Sequence, residues 1–326
     1  MRNPLSKTIE QIKPSGIRKF FDIVSEMPHA ISLGVGEPDF DTPWHVRSEG
    51  IRSLEKGRTF YTSNSGLIEL RQEICKWYQR KYNVLYDYKT EALLTVGGSE
   101  GIDVALRAML DPGDEVIIPE PCYVSYVPCV QLIGAVPVTI ELKNENQFRL
   151  TPEELLAAIT DKTKILILAF PSNPTGAVMT KEDLEPIAKI CQEKDIYVIS
   201  DEIYSELTYG GQKHCSISSL PGMKERTIVI NGFSKAYAMT GWRLGYALAP
   251  EVIAHQMTKI HQFAIMCAPT TSQYAAIEAI KNGDADIEKM CKSYDQRRRF
   301  LLKKFEEIGL PCFEPHGAFY VFPCIK

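Results

Sequence analysis

Asn231-Gly-Phe-Ser-Lys-Ala-Tyr-Ala-Met-Thr-Gly-Trp-Arg-Leu-Gly-Tyr246 is the stretch on which the reading of this chain turns. It follows a short β-branched run, residues 227–230, and leads into a second apolar run, 244–248, so it reads as a loop joining two buried strands. Lys235 sits among Phe233, Ala236, Ala238 and Met239. Partial desolvation there lowers the pKa of an ammonium toward that of a usable nucleophile, and such a lysine forms Schiff bases. Arg243, between Gly241 and the second strand, is a fixed cation suited to an anion such as phosphate. A Schiff-base lysine beside a phosphate anchor points to pyridoxal phosphate. The same residues also suit an ordinary solvated loop, so the rest of the chain has to decide.

With 326 residues the chain exceeds what one compact core usually serves, and a hydrophobic content of 44% supports a sizeable core divided over two domains. A net charge of -4 carries no basic excess, which argues against nucleic acid as a partner and favours small molecules. The nine cysteines include no Cys-x-x-Cys pair and are odd in number, a poor fit to a disulfide framework and a better one to a reducing cytosol. The N-terminus lacks an apolar signal core, and no run approaches the roughly 20 apolar residues of a membrane span. A soluble cytoplasmic protein with no membrane partner is expected. The six histidines are scattered, read as structural, and suggest no metal site.

From residue 91 strand and helix patterns alternate, as in a mainly parallel sheet covered on both faces. Residues 91–96 read as a strand ending in Gly97-Gly-Ser-Glu-Gly101, ahead of a helix over 102–110; the free amides of Gly98, Ser99 and Glu100 can then face an anion. Residues 116–118 form the next strand, with prolines ending it before Tyr123. Strands over 136–142 and 164–170 flank a helix opened by Thr151-Pro-Glu-Glu, and the second delivers Pro171-Ser-Asn-Pro-Thr-Gly176. Residues 196–200 end in Asp201-Glu-Ile-Tyr204. Ligands of open α/β sheets bind at the carboxyl ends of strands, where Asn173 and Asp201 fall. Past Pro250 helices take over. Residues 284–309 read as one amphipathic helix with Ile287, Met290, Tyr294, Leu301, Phe305 and Ile308 on one face. Arg297, Arg299, Lys303 and Lys304 fall on its solvated side. Residues 310–323 alternate like a strand.

Asn173, Asp201-x-x-Tyr204, Lys235 and Arg243, at successive strand ends in this order, resemble the class I/II aminotransferases of fold type I. The likeness is strongest to the subgroup with bacterial aspartate, aromatic and acyl-diaminopimelate members, and runs over nearly the whole chain. It implies an α/β fold with helices on both faces of a mainly parallel sheet. Residues 46–282 would form the large cofactor-binding domain, and 1–45 with 283–326 a small α+β domain. It implies pyridoxal 5'-phosphate held as an aldimine on Lys235, its ring nitrogen on Asp201, its ring hydroxyl on Tyr204 and Asn173, and its face stacked on Tyr123. Gly98, Ser99, Glu100, Ser234 and Arg243 would take the phosphate. Tyr61 would reach the phosphate of a neighbouring subunit, which makes a homodimer. Gly36 and Asn173 would bind the substrate. The implied activity is ping-pong transfer of an amino group from an L-amino acid to a 2-oxo acid. Two other readings stand beside it, a carbon-sulfur β-lyase and a non-catalytic cofactor-binding module.

The chain departs from the family's pattern in three places. Gly232 stands where many relatives carry a hydroxyl for the phosphate, leaving Ser234 or a backbone amide to replace it. Glu100 stands where many are uncharged, so its side chain has to turn away from a phosphate. No residue before Lys326 matches the arginine that clamps the substrate carboxylate, which suggests a C-terminally incomplete chain that binds cofactor but transaminates weakly, with Arg18 as a candidate substitute.

Overall fold

The computed structural model describes residues 2–14, 26, 27, 29 and 36–325. Arg18 lies outside the described residues. Seven strands, β1 (Ala92–Thr95), β2 (Glu115–Glu120), β3 (Val136–Glu141), β4 (Thr163–Ala169), β5 (Tyr197–Asp201), β6 (Thr227–Gly232) and β7 (Gly245–Leu248), form one sheet in the order β1-β7-β6-β5-β4-β2-β3. All pairings are parallel except those of β7, which runs antiparallel to both β1 and β6. The strands expected between residues 91 and 248 are all present, with ends that differ by a residue or two, the extent to which such boundaries are soft.

The alternation of side chains along a strand sorts the core into two faces. Ile165, Ile167, Ile199, Ile228 and Ile230 point to the face covered by helices Gly97–Met109, Tyr126–Leu132 and Glu251–Ala264. Leu166, Leu168, Val198 and Val229 point to the other, under helices Ile68–Tyr82, Lys181–Glu193 and Thr270–Asn282. Strands buried on both faces need continuous apolar runs, which is why the runs were readable. Ile165, Ile199 and Ile230 are at most 0% exposed, each contributing roughly 1.5–3 kcal/mol of burial. Thr151 and Thr180 close capping boxes with Glu154 and Asp183 at the starts of two covering helices. Among the described residues no helix is long and apolar enough to cross a membrane.

Four expectations need correction. The helix expected from residue 102 starts at Gly97, so the glycine-rich segment is its first turn and not a loop before it. Pro119 does not end β2. Pairing with β4 stops at Ile117, while Pro119 still pairs with Ile140 on the β3 side, so the missing amide breaks no ladder bond to β4. The last helix, Asp284–Glu307, buries Ile287, Met290 and Tyr294, but Leu301 and Ile308 are exposed, and Arg298 is buried where the apolar stripe was expected to continue. Arg298 is held there by Asp295, Glu314 and the carbonyl of Pro315. Residues 310–323 form no strand and make only isolated bridges, Thr208 with Gly317 and Cys312 with Pro323. Pro311, Pro315 and Pro323 lack amides, and Ala318 takes a left-handed φ of 55°, so the alternating pattern has no continuous ladder to join.

Candidate active site

The carboxyl ends of β1, β2, β4, β5 and β6 open on one side of the sheet. Because β7 is antiparallel, its beginning lies on that side too, and Gly245 opposes both Thr95 and Gly232. The segments leaving these ends surround a cavity of about 1170 Å³. Of the residues singled out from sequence, Gly36, Gly98, Ser99, Tyr123, Asn173, Asp201, Tyr204, Ser234, Lys235 and Arg243 all line it. Glu100 and Tyr61 do not. Tyr61 is 81% exposed on the surface, and the Glu100 side chain turns back to the Val96 amide at 2.5 Å.

Close backbone packing builds the anion end of the cavity. Gly97 has a φ of +75°, and a β-carbon on it would come within 2.6 Å of a guanidinium nitrogen of Arg243. A β-carbon on Gly245 would meet the backbone of Gly97 and Gly98 at 2.6 and 2.7 Å, and one on Gly232 would meet Gly245 at 2.8 Å. A side chain at position 232 therefore has no room in this backbone. Arg243, itself in a left-handed conformation (φ 51°), donates to the Thr240 carbonyl at 3.1 Å and lies beside the first turn of the helix Gly97–Met109. Free amides at a helix start next to a guanidinium are a binding place for a phosphate-sized dianion.

At the centre, Lys235 Nζ donates to the Gly36 carbonyl at 2.5 Å and lies 5.7 Å from the Tyr204 ring and 5.4 Å from the Phe319 ring. Burial pulls its pKa down to about 8; Glu37 and Asp201 oppose that fall and Arg243 adds to it. The amine is thus substantially neutral at mildly alkaline pH, as a nucleophile needs. Asp201 lies at the end of β5, buried, accepting from the Tyr126 hydroxyl at 2.7 Å and from the Ile203 amide at 3.2 Å. Burial raises its pKa while these two bonds hold it down. A carboxylate so placed fits a protonated ring nitrogen. Tyr204 donates to or accepts from Tyr320 at 2.6 Å between their hydroxyls, and burial raises the pKa of Tyr204 well above its ordinary value, so it remains a phenol. The donor set as a whole fits pyridoxal phosphate: an amine, an acid for a ring nitrogen, hydroxyl and amide donors for a ring oxygen, and an anion cradle.

Sequence reasoning missed Tyr126, Tyr320, Glu37 and Thr240 in this cavity. Tyr320 covers Gly36 so closely that any side chain at 36 would collide with it. It is carried there by residues 316–318, through Tyr209 N–H to the His316 carbonyl at 2.8 Å and the Tyr209 hydroxyl to the Ala318 carbonyl at 2.5 Å. No local signal foretells such contacts. Glu37 accepts from the Thr240 hydroxyl at 3.0 Å and was one residue from a position already named.

Comparison with known proteins adds an independent line. The model of the family "Aminotransferase class I and II" matches residues 28–326. The chain is similar to the Bacillus subtilis protein YugH, with 52% identity over 100% of this chain and 84% of YugH. It is 46% identical to an aspartate aminotransferase of Pyrococcus abyssi, over 99% of this chain and 83% of that protein. A solved structure of Thermus thermophilus aspartate aminotransferase with maleate superposes with a TM-score of 0.94 at 38% identity, covering 98% of this chain and 85% of that one. These relatives support amino transfer over β-elimination or a non-catalytic module. Both the fold and the similarity place the chain in the class I and II aminotransferase family, pyridoxal-phosphate-dependent enzymes that move an amino group from an L-amino acid to a 2-oxo acid.

Proposed function

We propose that Lys235 carries the cofactor, that Asp201 keeps a proton on its ring nitrogen, and that Tyr204 and Asn173 hold its ring oxygen. Tyr123 covers the ring face. The amides of Gly98, Ser99 and Glu100, with Ser234 and Arg243, take the phosphate. One observation carries this reading: an amine whose pKa falls to about 8 stands in the same cavity as a buried carboxylate and an arginine-flanked helix start. When bound, the cofactor supplies an electron-withdrawing ring that accepts the electron pair left on the substrate carbon.

The protein's part is positioning and proton movement. Lys235, whose pKa falls to about 8, would serve as the general base that takes the proton from the substrate α-carbon. The Gly36 carbonyl, which holds Nζ, keeps the amine beside the loop that meets the substrate. Asp201 strengthens the electron sink only while ionised, and a cationic ring nitrogen offsets the burial that raises its pKa.

We further propose residues 46–282 as the large domain, with 1–45 and 283–326 as the small one, since the whole sheet falls within the first span. A homodimer is supported by an exposed apolar surface, Phe60 at 80%, Tyr61 at 81% and Phe263 at 82%. The neighbouring loops are tied together by Asn64 to the Met266 carbonyl and Thr270 to the Phe60 carbonyl, both 2.8 Å. Tyr61, exposed and not lining its own cavity, is then available to a second copy. The odd cysteine count supports a place in the cytoplasm, and similarity to aminotransferases supports a role in amino-acid metabolism. Borohydride reduction of the cofactor-loaded protein followed by peptide mapping tests the central assignment: the pyridoxyl group is expected on Lys235, and its recovery on another lysine overturns the reading. Sedimentation of the same sample is expected to give twice the chain mass; a monomer with full activity overturns the dimer.

A further inference from the structure

The helix Gly97–Met109 carries an acid in its first turn, Glu100, within one turn of the amides assigned above to an anion. A carboxylate there is drawn to free amides of its own helix start, the same groups a phosphate would use. In the structure it is held elsewhere. Its Oε2 accepts from the Val96 amide at 2.5 Å, and its Oε1 lies 2.6 Å from Nδ1 of His261. His261 is fully buried in the last turn of the helix Glu251–Ala264, which packs on the helix Gly97–Met109 through Ile253, Ala254 and Met257. The other ring nitrogen, Nε2, is buried with no partner among the described residues. Glu100 is thus the one polar engagement of this imidazole among the described residues, and leaving Nε2 unsatisfied is a cost that apolar packing alone does not explain.

We infer that His261 is a positioning residue for cofactor binding: it pins the Glu100 carboxylate to the Val96 side and keeps the amides of Gly98 and Ser99 free for the phosphate. The inference rests on the phosphate assignment made under the proposed function. Without the imidazole, the tethered carboxylate competes with the phosphate for those amides and repels it. The geometry also explains how a chain of this family accommodates an acid at the start of its anion-binding helix.

The test compares affinities of cofactor-free protein for pyridoxal phosphate and for pyridoxal, which lacks the phosphate, by fluorescence titration. The wild-type chain is expected to prefer the phosphate ester strongly; no preference would overturn the phosphate assignment itself. His261→Leu, which keeps the bulk and removes the donor, is expected to weaken pyridoxal phosphate binding about tenfold or more, as one nearby like charge does. Pyridoxal binding should change less than twofold. Adding Glu100→Gln to His261→Leu removes the competing charge and is expected to recover most of the lost affinity. A retained preference in His261→Leu, equal losses for both ligands, or no recovery in the double variant overturns the inference. Should His261→Leu fail to fold, His261→Asn with and without Glu100→Gln gives the same comparison, again with recovery expected only if the charge is the cause.

Discussion

Asp201 and Glu202 are neighbours in the sequence, yet the alternation of β5 sends them to opposite sides of the sheet, where one meets a cavity and the other the core. Asp201 accepts one hydroxyl, from Tyr126, and one amide, from Ile203, and its remaining acceptor capacity faces open space. Glu202 is 0% exposed and is surrounded by donors, the hydroxyls of Tyr78 at 3.1 Å, Ser200 at 3.0 Å and Ser216 at 2.5 Å. Burying a carboxylate costs several kcal/mol unless its lone pairs are filled. Glu202 has that cost offset by the fold and works as a fastener between the helix Ile68–Tyr82 and residues 214–218. Asp201 has it offset only in part, and its raised pKa records the shortfall. A buried acid left short of partners at a cavity wall is a group waiting for a ligand, whereas a saturated one is not.

Replacing each acid separates the two roles, and the largest effect is expected at the cavity. Asp201→Ala should retain cofactor through the phosphate and Lys235 while slowing exchange of the substrate α-proton by about 10³-fold or more, because an unprotonated ring nitrogen is a poor electron sink. Deuterium exchange followed by NMR reads this directly; exchange at the wild-type rate would remove Asp201 from the chemistry. Glu202→Ala should do the reverse. It leaves three buried hydroxyls without their acceptor and is expected to lower unfolding stability by about 3 kcal/mol in denaturant titration, with turnover of the folded protein within a few-fold of wild type. A Glu202→Ala protein of unchanged stability and lost turnover would dissolve the contrast.

That contrast was only half legible in the sequence. Strand ends are readable because continuous apolar runs stop there, which brought Asn173, Asp201 and the Lys235 loop to one side of the sheet before any coordinates. The apolar setting of Lys235 foretold its lowered pKa. What the pattern does not carry is direction and partnership. Nothing local says that Tyr126 reaches Asp201 across 75 positions, that Tyr320 reaches Tyr204 across 116, or that Tyr78 and Ser216 close on Glu202. Glu100 was read as a problem beside a phosphate, and its solution, His261, lies 161 positions away in another helix. The alternation over 310–323 misled for the complementary reason: period two marks a strand only where a neighbour offers a ladder, and here prolines and a left-handed residue leave two isolated bridges.

The smallest expected effect sharpens the comparison most, because it concerns the one hydroxyl Asp201 does have. The folded-state pKa of Asp201 lies above its ordinary value of 3.8, raised by burial and held down by the Tyr126 bond. Below that ordinary value, folded and unfolded chains both carry the proton and Asp201 costs no stability. As pH rises through the folded pKa, the folded chain has to ionise a buried group, so stability is lost over that window and levels off above it. Tyr126→Phe removes a bond made to the ionised form, pushes the folded pKa further up, and widens the window. In cofactor-free protein the stability deficit of Tyr126→Phe is therefore expected to be about 1 kcal/mol at pH 8 and smaller at pH 5, read from urea titrations at both values. With pyridoxal phosphate bound, a ring nitrogen paired with Asp201 as proposed would supply the partner it lacks, and the pH dependence of the deficit should flatten. A deficit that is the same at both pH values, with and without cofactor, would mean that Asp201 is as fully satisfied as Glu202 and that the two acids do not differ in kind.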